Sequence, residues 1–176
     1  MDRYKSDIAL AVKGDCDAFA RLYSLIYKEL YAYALYSLRN EADAQDAVSD
    51  AVMDAFAGIK KLKDEQAFKA WFFKILSAKI KRKQKEYANA AENLDSFNGT
   101  YIENGFADVE ITAAMKLLSE DERTVLSLSA IGGYKTKEIA KICDMNHSTV
   151  RSKISRARQK MSEILQAKER RNFYEA

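Results

Sequence analysis

Apolar residues in the first half of the chain recur at the spacing of buried helix faces. From about Asp15 they fall at i, i+3, i+4 and i+7, which predicts one long helix with a single buried stripe. That stripe comprises Phe19, Leu22, Tyr23, Ile26, Leu30, Tyr33, Ala34 and Leu38. Asn40 is the predicted end of the helix, because asparagine accepts the left-handed conformation of a helix C-terminus.

Two further helices follow before the pattern changes. The second, at about 42–59, places an apolar face inward that comprises Ala44, Val48, Ala51, Val52, Ala55, Phe56 and Ile59. The third begins near Asp64, whose carboxylate suits a helix N-cap, and its apolar residues are Phe68, Trp71, Phe72, Ile75 and Leu76. These elements predict a first helical unit over residues 1–86.

The helical pattern stops between residues 87 and 107, where asparagine, serine, threonine and glycine accumulate. We interpret this stretch as a flexible linker between two units. The alternative is a long loop within one domain, although loops of this length are uncommon in compact folds.

The second unit, residues 108–176, shows the pattern of a helix-turn-helix that follows other helices. An apolar segment over 109–118 leads into Ser119 and Glu122, which are spaced as a capping box. That helix is expected to end at Gly132-Gly133. The helix-turn-helix then comprises a short helix over 136–143, a turn at Asp144, and a long helix from about 146 or 147 to at least 165.

Composition supports an all-α fold of two small helical domains. The 176 residues include no proline and only 6 glycines, and these two residue types interrupt helices. The charged N-terminus lacks the apolar segment of a signal peptide, and no stretch is long enough to span a bilayer. We therefore expect a cytoplasmic protein without membrane insertion. Cys16 and Cys143 lack metal-ligand spacing, and a core role in a reducing compartment is favoured over a disulfide.

Charge is arranged in blocks, although the net charge is only +3. Five acids and no base occupy residues 41–54, whereas seven bases and one acid occupy 68–86. Residues 151–160 hold five bases and no acid. One acidic helix and two basic helices predict one contact with a basic partner and two contacts with polyanions.

The second helix of the helix-turn-helix carries the candidate DNA-binding residues. Val150 and Ile154 are expected to face inward, which turns the other side of the helix outward. The candidates lie on that side or in the first turn: His147, Ser148, Arg151, Ser152, Ser155, Arg156 and Arg158. Short hydroxyls and an arginine suit the major groove, where arginine bonds guanine bidentately, and the last two arginines are expected nearer phosphates. The alternative is a basic helix that is merely solvated.

Short motifs in both units resemble those of the sigma-70 family of bacterial RNA polymerase. Residues 138–140 (EIA), 148–152 (STVRS) and 155–158 (SRAR) resemble sigma region 4. Residues 43–50 (DAQDAVSD) and 68–75 (FKAWFFKI) resemble region 2. Because the resemblance is confined to these two regions, it is to the minimal, extracytoplasmic-function type.

The resemblance implies a sigma factor that directs RNA polymerase to specific promoters and assists transcription initiation. In that family, an acidic helix of region 2 binds the β′ clamp helices of core polymerase, which here implies Asp43, Asp46 and Asp50. Region 4 contacts the β flap and the minus-35 promoter element. The basic helix of region 2 and the loop before it hold the minus-ten element, which here implies Lys61, Lys79, Lys81, Arg82 and Lys83. Such factors have anti-sigma partners, so one is expected here as well.

Some residues depart from the family pattern, and other function classes stay open. Ala78 stands where the family has an asparagine for minus-ten base contacts, Asp144 replaces the glycine of the turn, and Ser49 replaces a glutamine. Trp71 could stack on a melted base, although core packing is favoured. A free-standing helix-turn-helix regulator with an N-terminal sensing domain is the alternative function, followed by a helical adaptor. An enzyme and a cofactor are not expected, because phosphate loops, metal clusters and activated nucleophiles are missing.

Overall fold

The computed structural model describes residues 2–93, 111 and 114–174, and every regular element in them is a helix. The first unit consists of α1 (Asp2–Val12), α2 (Cys16–Leu38), α3 (Glu41–Gly58) and α4 (Phe68–Asn93), with short 3₁₀ turns at Ile59–Lys61 and Glu65–Ala67. The second unit consists of α5 (Glu120–Ala130), α6 (Thr136–Cys143) and α7 (His147–Tyr174). The prediction of an all-α fold is confirmed.

The junction between α2 and α3 differs from the sequence prediction by one residue. Arg39, not Asn40, adopts the left-handed conformation, with φ 58°, and its amide donates to the carbonyl oxygen of Leu35. Asn40 is instead the N-cap of α3, and its side-chain oxygen accepts from the amide of Asp43 at 3.0 Å. Asparagine serves both positions, and the structure uses its capping oxygen because α3 begins immediately after α2 ends.

The helix α4 is longer than predicted and begins later. Asp64 caps the 3₁₀ turn, accepting from the amide of Gln66 at 2.9 Å, and α4 itself starts at Phe68. Its C-terminal end reaches Asn93, so the first seven residues of the predicted linker are helical. Residues 94–107 of that linker, and residues 109, 110, 112 and 113 of the apolar segment predicted over 109–118, lie outside the described residues.

Helices α2, α3 and α4 enclose the core of the first unit. Phe68, Phe72 and Leu76 of α4 are fully buried, as is Leu22 of α2. The alanines of α3 let this helix approach α2 closely, since Ala44, Ala51 and Ala55 are fully buried. Phe56, which was expected inward, is 40% exposed and meets Phe19 edge-to-face with 5.1 Å between ring centroids. It therefore lies at the rim of the core.

The second unit begins with the predicted capping box. The Ser119 hydroxyl accepts from the Glu122 amide at 3.3 Å, and the Glu122 carboxylate accepts from the Ser119 amide at 3.0 Å. The turn of the helix-turn-helix is closed by Asp144, which has φ 53° and whose amide donates to the carbonyl oxygen of Ala140. Aspartate tolerates this conformation better than most residues, so the loss of the usual glycine does not disrupt the motif.

Candidate nucleic-acid interface

The helix-turn-helix is held by a small apolar core that fixes the orientation of α7. Ile139 and Cys143 of α6 are buried, as are Val150 and Ile154 of α7. Burial raises the pKa of the Cys143 thiol to about 12, which keeps this side chain neutral as a core residue. The inward faces of both helices are therefore those that the sequence predicted.

The opposite side of α7 borders an open groove of about 590 Å³. Its walls comprise Thr136, Ser148, Arg151, Ser152, Ile154, Ser155 and Arg158. In the part of the chain that the structure describes, the Arg151 side chain is exposed and has neither an acidic nor a hydrogen-bonding partner. Arg158 donates to the hydroxyl of Ser129 at 3.3 Å. The structure thus brings Arg151 and the three serines together on one accessible surface.

His147 lies beside this groove and contacts the first helix of the motif. Its Nε2 is 2.8 Å from the hydroxyl oxygen of Thr136, at the first residue of α6. This hydrogen bond joins the N-terminal ends of α6 and α7, and in such motifs the N-terminal residues of the second helix contact base edges. Thr136 was not among the candidates, because its contact with the groove depends on how the two helices cross.

Other basic residues of α7 turn toward α5 instead of the groove. The Lys153 ammonium lies 2.8 Å from the Asp121 carboxylate, while Arg156 and Lys160 lie 3.8 and 2.8 Å from that of Glu122. Burial opposes ionisation of Glu122, but Lys160 and the Ser119 amide outweigh it and hold the pKa of the carboxyl below its ordinary value. Arg156, a candidate for phosphate contact, is thereby engaged within the protein.

In the first unit, the acidic residues of α3 and part of the basic residues of α4 form a ladder of ion pairs. Starting from the C-terminal end of α3, the pairs are Asp54–Lys79 at 2.6 Å, Asp50–Arg82 at 3.0 Å, Asp46–Lys83 at 3.7 Å and Asp43–Lys83 at 2.8 Å. The two helices were expected to bind different partners through these same charges. In the folded chain they neutralise each other along the seam between α3 and α4.

Asp43 is the most enclosed acid of this ladder. Its carboxylate accepts from the Lys83 ammonium and from the Tyr87 hydroxyl, and only 20% of its side chain is exposed. Burial opposes its ionisation, yet these two hydrogen bonds outweigh burial and hold the pKa of the carboxyl below its ordinary value. Tyr87, which was assigned to the linker, is therefore part of the first unit.

A second row of lysines on α4 has no such neutralisation. Counted from Lys74, Ala78 is at i+4, Lys81 at i+7 and Lys85 at i+11, so these residues lie on one face of the helix. All three are exposed and have no acidic partner among the described residues. Lys61, in the 3₁₀ turn before α4, is also exposed and unpaired there. Of the predicted minus-ten residues, Lys61 and Lys81 are thus free cations, whereas Lys79, Arg82 and Lys83 belong to the ladder.

The outer face of α3 combines exposed acids with exposed apolar side chains. The side chain of Asp46 is 71% exposed and that of Asp50 is 41% exposed, despite their contacts with α4. Met53 and Phe56 continue this surface by one and two helical turns, and Met53 is 68% exposed. The spacing of Asp46, Asp50 and Met53 could have revealed this face, but Phe56 was assigned to the core.

Other candidate features have modest roles. Trp71 is half-buried and packs against the core beside Phe68, with 6.2 Å between ring centroids, so its ring is only partly accessible. Cys16 and Cys143 are both free thiols, but the predicted core role is wrong for Cys16, which is exposed at the first residue of α2, whereas Cys143 is buried. Within the described ranges, no cluster of histidine, cysteine and acidic residues could hold a metal ion. No described helix has both the length and the apolar character that crossing a bilayer requires.

Comparison with protein-family models assigns both units. Residues 20–88 match the model of Sigma-70 region 2, and residues 108–161 match that of Sigma-70, region 4. The first match covers α2 to α4 with the ion-pair ladder, and the second covers the helix-turn-helix. A free-standing regulator with a sensing domain is therefore not favoured, because its N-terminal unit would not match region 2.

Individual proteins agree with these matches. The chain is 31% identical to the ECF RNA polymerase sigma factor EcfG of Rhodopseudomonas palustris over 145 residues, which cover 77% of this chain and 78% of that protein. It is 30% identical to the ECF RNA polymerase sigma-E factor of Haemophilus influenzae, covering 88% and 90% of the two chains.

Two solved structures share the fold. The sigma factor RpoE of Bartonella quintana, in complex with the anti-sigma factor NepR, superimposes with a TM-score of 0.74 at 25% identity, covering 84% of this chain and 96% of that one. CnrH, in complex with the cytosolic domain of CnrY, gives a TM-score of 0.67 at 24% identity, covering 94% and 98%.

Proposed function

We infer the role of each surface from one premise: this chain belongs to the sigma-70 family and is a sigma factor of the extracytoplasmic-function type. Such a factor directs RNA polymerase to promoters and assists transcription initiation. Sigma factors are initiation factors that act by binding. The roles below follow from which charged groups the folded chain leaves without an internal partner. We also propose that the protein has no enzymatic activity and works in the cytoplasm.

The groove beside α7 is proposed to contact the minus-35 element. Ser148, Arg151 and Ser152 lie in the first two turns of α7, where the recognition helix of such a motif reaches base edges. Arg151 has no partner in the described chain, so its guanidinium is available for a guanine without losing an internal contact. Arg158 and His147, together with Ser155, are proposed to contact phosphates at the edge of this groove. Arg156 is held by Glu122 and contributes to the local positive potential.

The free lysines of the first unit are proposed to hold the minus-ten element. Lys81 and Lys61 were predicted for this role, and Lys74 and Lys85 extend the same accessible face of α4. Lys79, Arg82 and Lys83 lie at the side of that face and brace the acidic row of α3. Ala78 occupies the centre of the row, so the grip on DNA is electrostatic there instead of base-specific.

The outer face of α3 is proposed to bind the β′ clamp helices of core polymerase. Asp46 and Asp50 supply exposed charge, and Met53 and Phe56 supply an apolar flank that binding would remove from water. Asp43 is the third predicted acid, and its position between Lys83 and Tyr87 gives it an internal, bracing role. The second unit would contact the β flap, as implied by its match to region 4.

An anti-sigma factor is a further proposed partner. RpoE of Bartonella quintana was crystallised in complex with the anti-sigma factor NepR. The likeness of this chain to RpoE, at 25% identity and over 84% of this chain, supports a partner of the same kind.

Run-off transcription tests the proposed function directly. Core RNA polymerase lacking sigma would be incubated with genomic fragments, with and without the purified chain. We expect discrete transcripts only when both proteins are present, and co-purification of the chain with core enzyme. Specific DNA binding by the chain in the absence of polymerase, without any transcript in its presence, would contradict the proposal.

A further inference from the structure

Lys83 of α4 lies between two acids of α3 but donates a hydrogen bond to only one of them. Its ammonium nitrogen is 2.8 Å from Oδ1 of Asp43 and 3.7 Å from Oδ2 of Asp46. The first distance is that of a charge-assisted hydrogen bond, whereas the second is too long for one. One cation is therefore shared unequally between an enclosed acid and an acid of the surface that we assign to polymerase.

Asp43 is held in place from both helices. Its other carboxylate oxygen accepts from the hydroxyl of Tyr87, which lies one turn beyond Lys83 on the same side of α4. Its backbone amide donates to the side chain of Asn40, the N-cap of α3, at 3.0 Å. Asp43 thus lies in the first turn of α3, where the helix dipole favours a negative charge. A carboxylate anchored in this way fixes the position of the Lys83 ammonium.

The pKa of Lys83 agrees with this geometry. The hydrogen bond to Asp43 is the main cause that raises the pKa of the ammonium, and it outweighs the opposing effect of burial. The negative charge of Asp46 adds only a smaller contribution in the same direction. Lys83 is therefore a charged group at neutral pH whose principal partner is Asp43.

Asp50, one helical turn after Asp46, shows the opposite case. Its carboxylate accepts a hydrogen bond from the Arg82 guanidinium at 3.0 Å, and 41% of its side chain is exposed. Asp46, which accepts no hydrogen bond from a cation within the described ranges, is 71% exposed. A basic partner can thus bind Asp46 without first displacing a bonded internal cation.

We propose that Asp43 is a positioning residue for polymerase binding, which holds Lys83 away from Asp46 and so leaves the charge of Asp46 available to a basic partner. This role rests on the proposed function of the outer face of α3. Without the Asp43 charge, the Lys83 ammonium moves onto Asp46, neutralises it, and places a positive charge opposite the basic partner. Asp43 thereby affects polymerase binding from a position in which only 20% of its side chain is exposed.

Competition for core RNA polymerase tests this role in a double-mutant cycle of the full chain. Asp43→Asn keeps the size of the side chain and an oxygen for Tyr87, but it removes the charge that holds Lys83. It should weaken core binding roughly two- to fivefold, the factor that corresponds to an exposed ion pair. Adding Lys83→Gln should restore binding, because no cation is then left to neutralise Asp46. The effect of Asp43→Asn should also shrink in high salt, which screens exposed charges.

Tyr87→Phe is the matched control, because it removes a hydrogen bond from Asp43 but leaves the carboxylate that holds Lys83. Its stability in urea should fall, whereas its core binding should stay unchanged. Urea denaturation verifies that each variant is folded under the assay conditions. If Asp43→Asn is not folded, Lys83→Arg tests the same point: its longer, forked side chain can bond Asp43 and Asp46 together, so core binding should fall while the internal ion pair is kept.

A loss of core binding by Asp43→Asn that Lys83→Gln does not restore would overturn the proposal. Removing a cation cannot replace a direct contact of Asp43 with polymerase, nor can it repair a damaged fold. Full binding by Asp43→Asn, or by Lys83→Arg where that variant is needed, would overturn it as well, as would an equal loss by Tyr87→Phe. A wild-type chain that binds no core polymerase would instead refute the proposed function of α3, so the two failures are distinguishable.

Discussion

The two lysine-rich sides of α4 allow the DNA contact to be assigned by a matched pair of triple variants. One variant changes the free row, Lys74, Lys81 and Lys85, to glutamine. The other, called the paired triple, changes Lys79, Arg82 and Lys83, which pair with acids of α3, to glutamine as well. Both variants lose three positive charges from the same helix, so a difference between them reports position instead of net charge.

The expected magnitude follows from counterion release. Each phosphate contact contributes about 0.7 to the log–log salt slope on single strands and about 0.9 on duplex DNA. Loss of three free lysines should therefore flatten the slope by about 2 to 2.7. Over a fourfold rise in salt, the affinity of this variant should fall roughly 20- to 40-fold less than that of the wild-type protein. The paired triple should change the slope by less than about one, because acids already neutralise those charges.

The assay is binding of the holoenzyme to a promoter fragment identified by run-off transcription, over a series of salt concentrations. Because the paired triple leaves Asp43 without its ammonium partner, its stability should fall, and denaturation curves must show that it is folded under the assay conditions. A flattened slope for the paired triple with an unchanged slope for the free triple would refute the assignment of the DNA-holding face.

Three further predictions concern the remaining surfaces. Asp46→Lys with Asp50→Lys should weaken binding to core polymerase in a pull-down while circular dichroism stays unchanged, and undiminished binding would remove these acids from the interface. Arg151→Ala should cost about 1–3 kcal/mol and relax one base pair of the minus-35 preference in a holoenzyme binding-site selection, whereas Arg158→Ala should weaken all sequences alike; the reverse pattern would place α7 differently in the groove. Because folding lowers the pKa of the Asp43 carboxyl, this group stabilises the fold at a pH above its pKa in the unfolded chain. That stabilisation is lost as the pH falls through its pKa in the folded chain. Asp43→Asn should therefore unfold at lower urea near neutral pH and show less acid destabilisation below about pH 4, and parallel stability curves would contradict this.

Local signals in the sequence determined much of the structure. The pairing of Ser119 with Glu122, the short helix ending before Asp144, and the inward face of Val150 and Ile154 all depend on residues within one or two helical turns. Capping and amphipathic periodicity act over this same distance, so one sequence suffices to recognise them. Even so, Asn40 was predicted to end α2, whereas it is the N-cap of α3. The prediction was wrong because asparagine favours both ends of helices.

Partners of charged side chains could not be predicted in the same way. Asp50 and Arg82 are 32 residues apart, and whether they meet depends on the crossing and register of α3 and α4. Sequence blocks of one sign therefore indicated charged helices but not which charges remain free. Lys83 pairs with Asp43, whereas Lys81, two residues earlier, lies on another side of the helix. This difference becomes visible only once α3 is placed along one side of α4.

The packing between the units escaped prediction because α4 has two buried faces. The predicted stripe through Phe68, Phe72 and Leu76 explains the contact with α2 and α3, but Phe73 and Ile80 are also fully buried, and the ring of Phe73 meets that of Tyr134 in the second unit. Amphipathic periodicity identifies a helix with one buried stripe. A helix that is buried on a second side has no such single stripe, so the pattern could not show that α4 packs against both units.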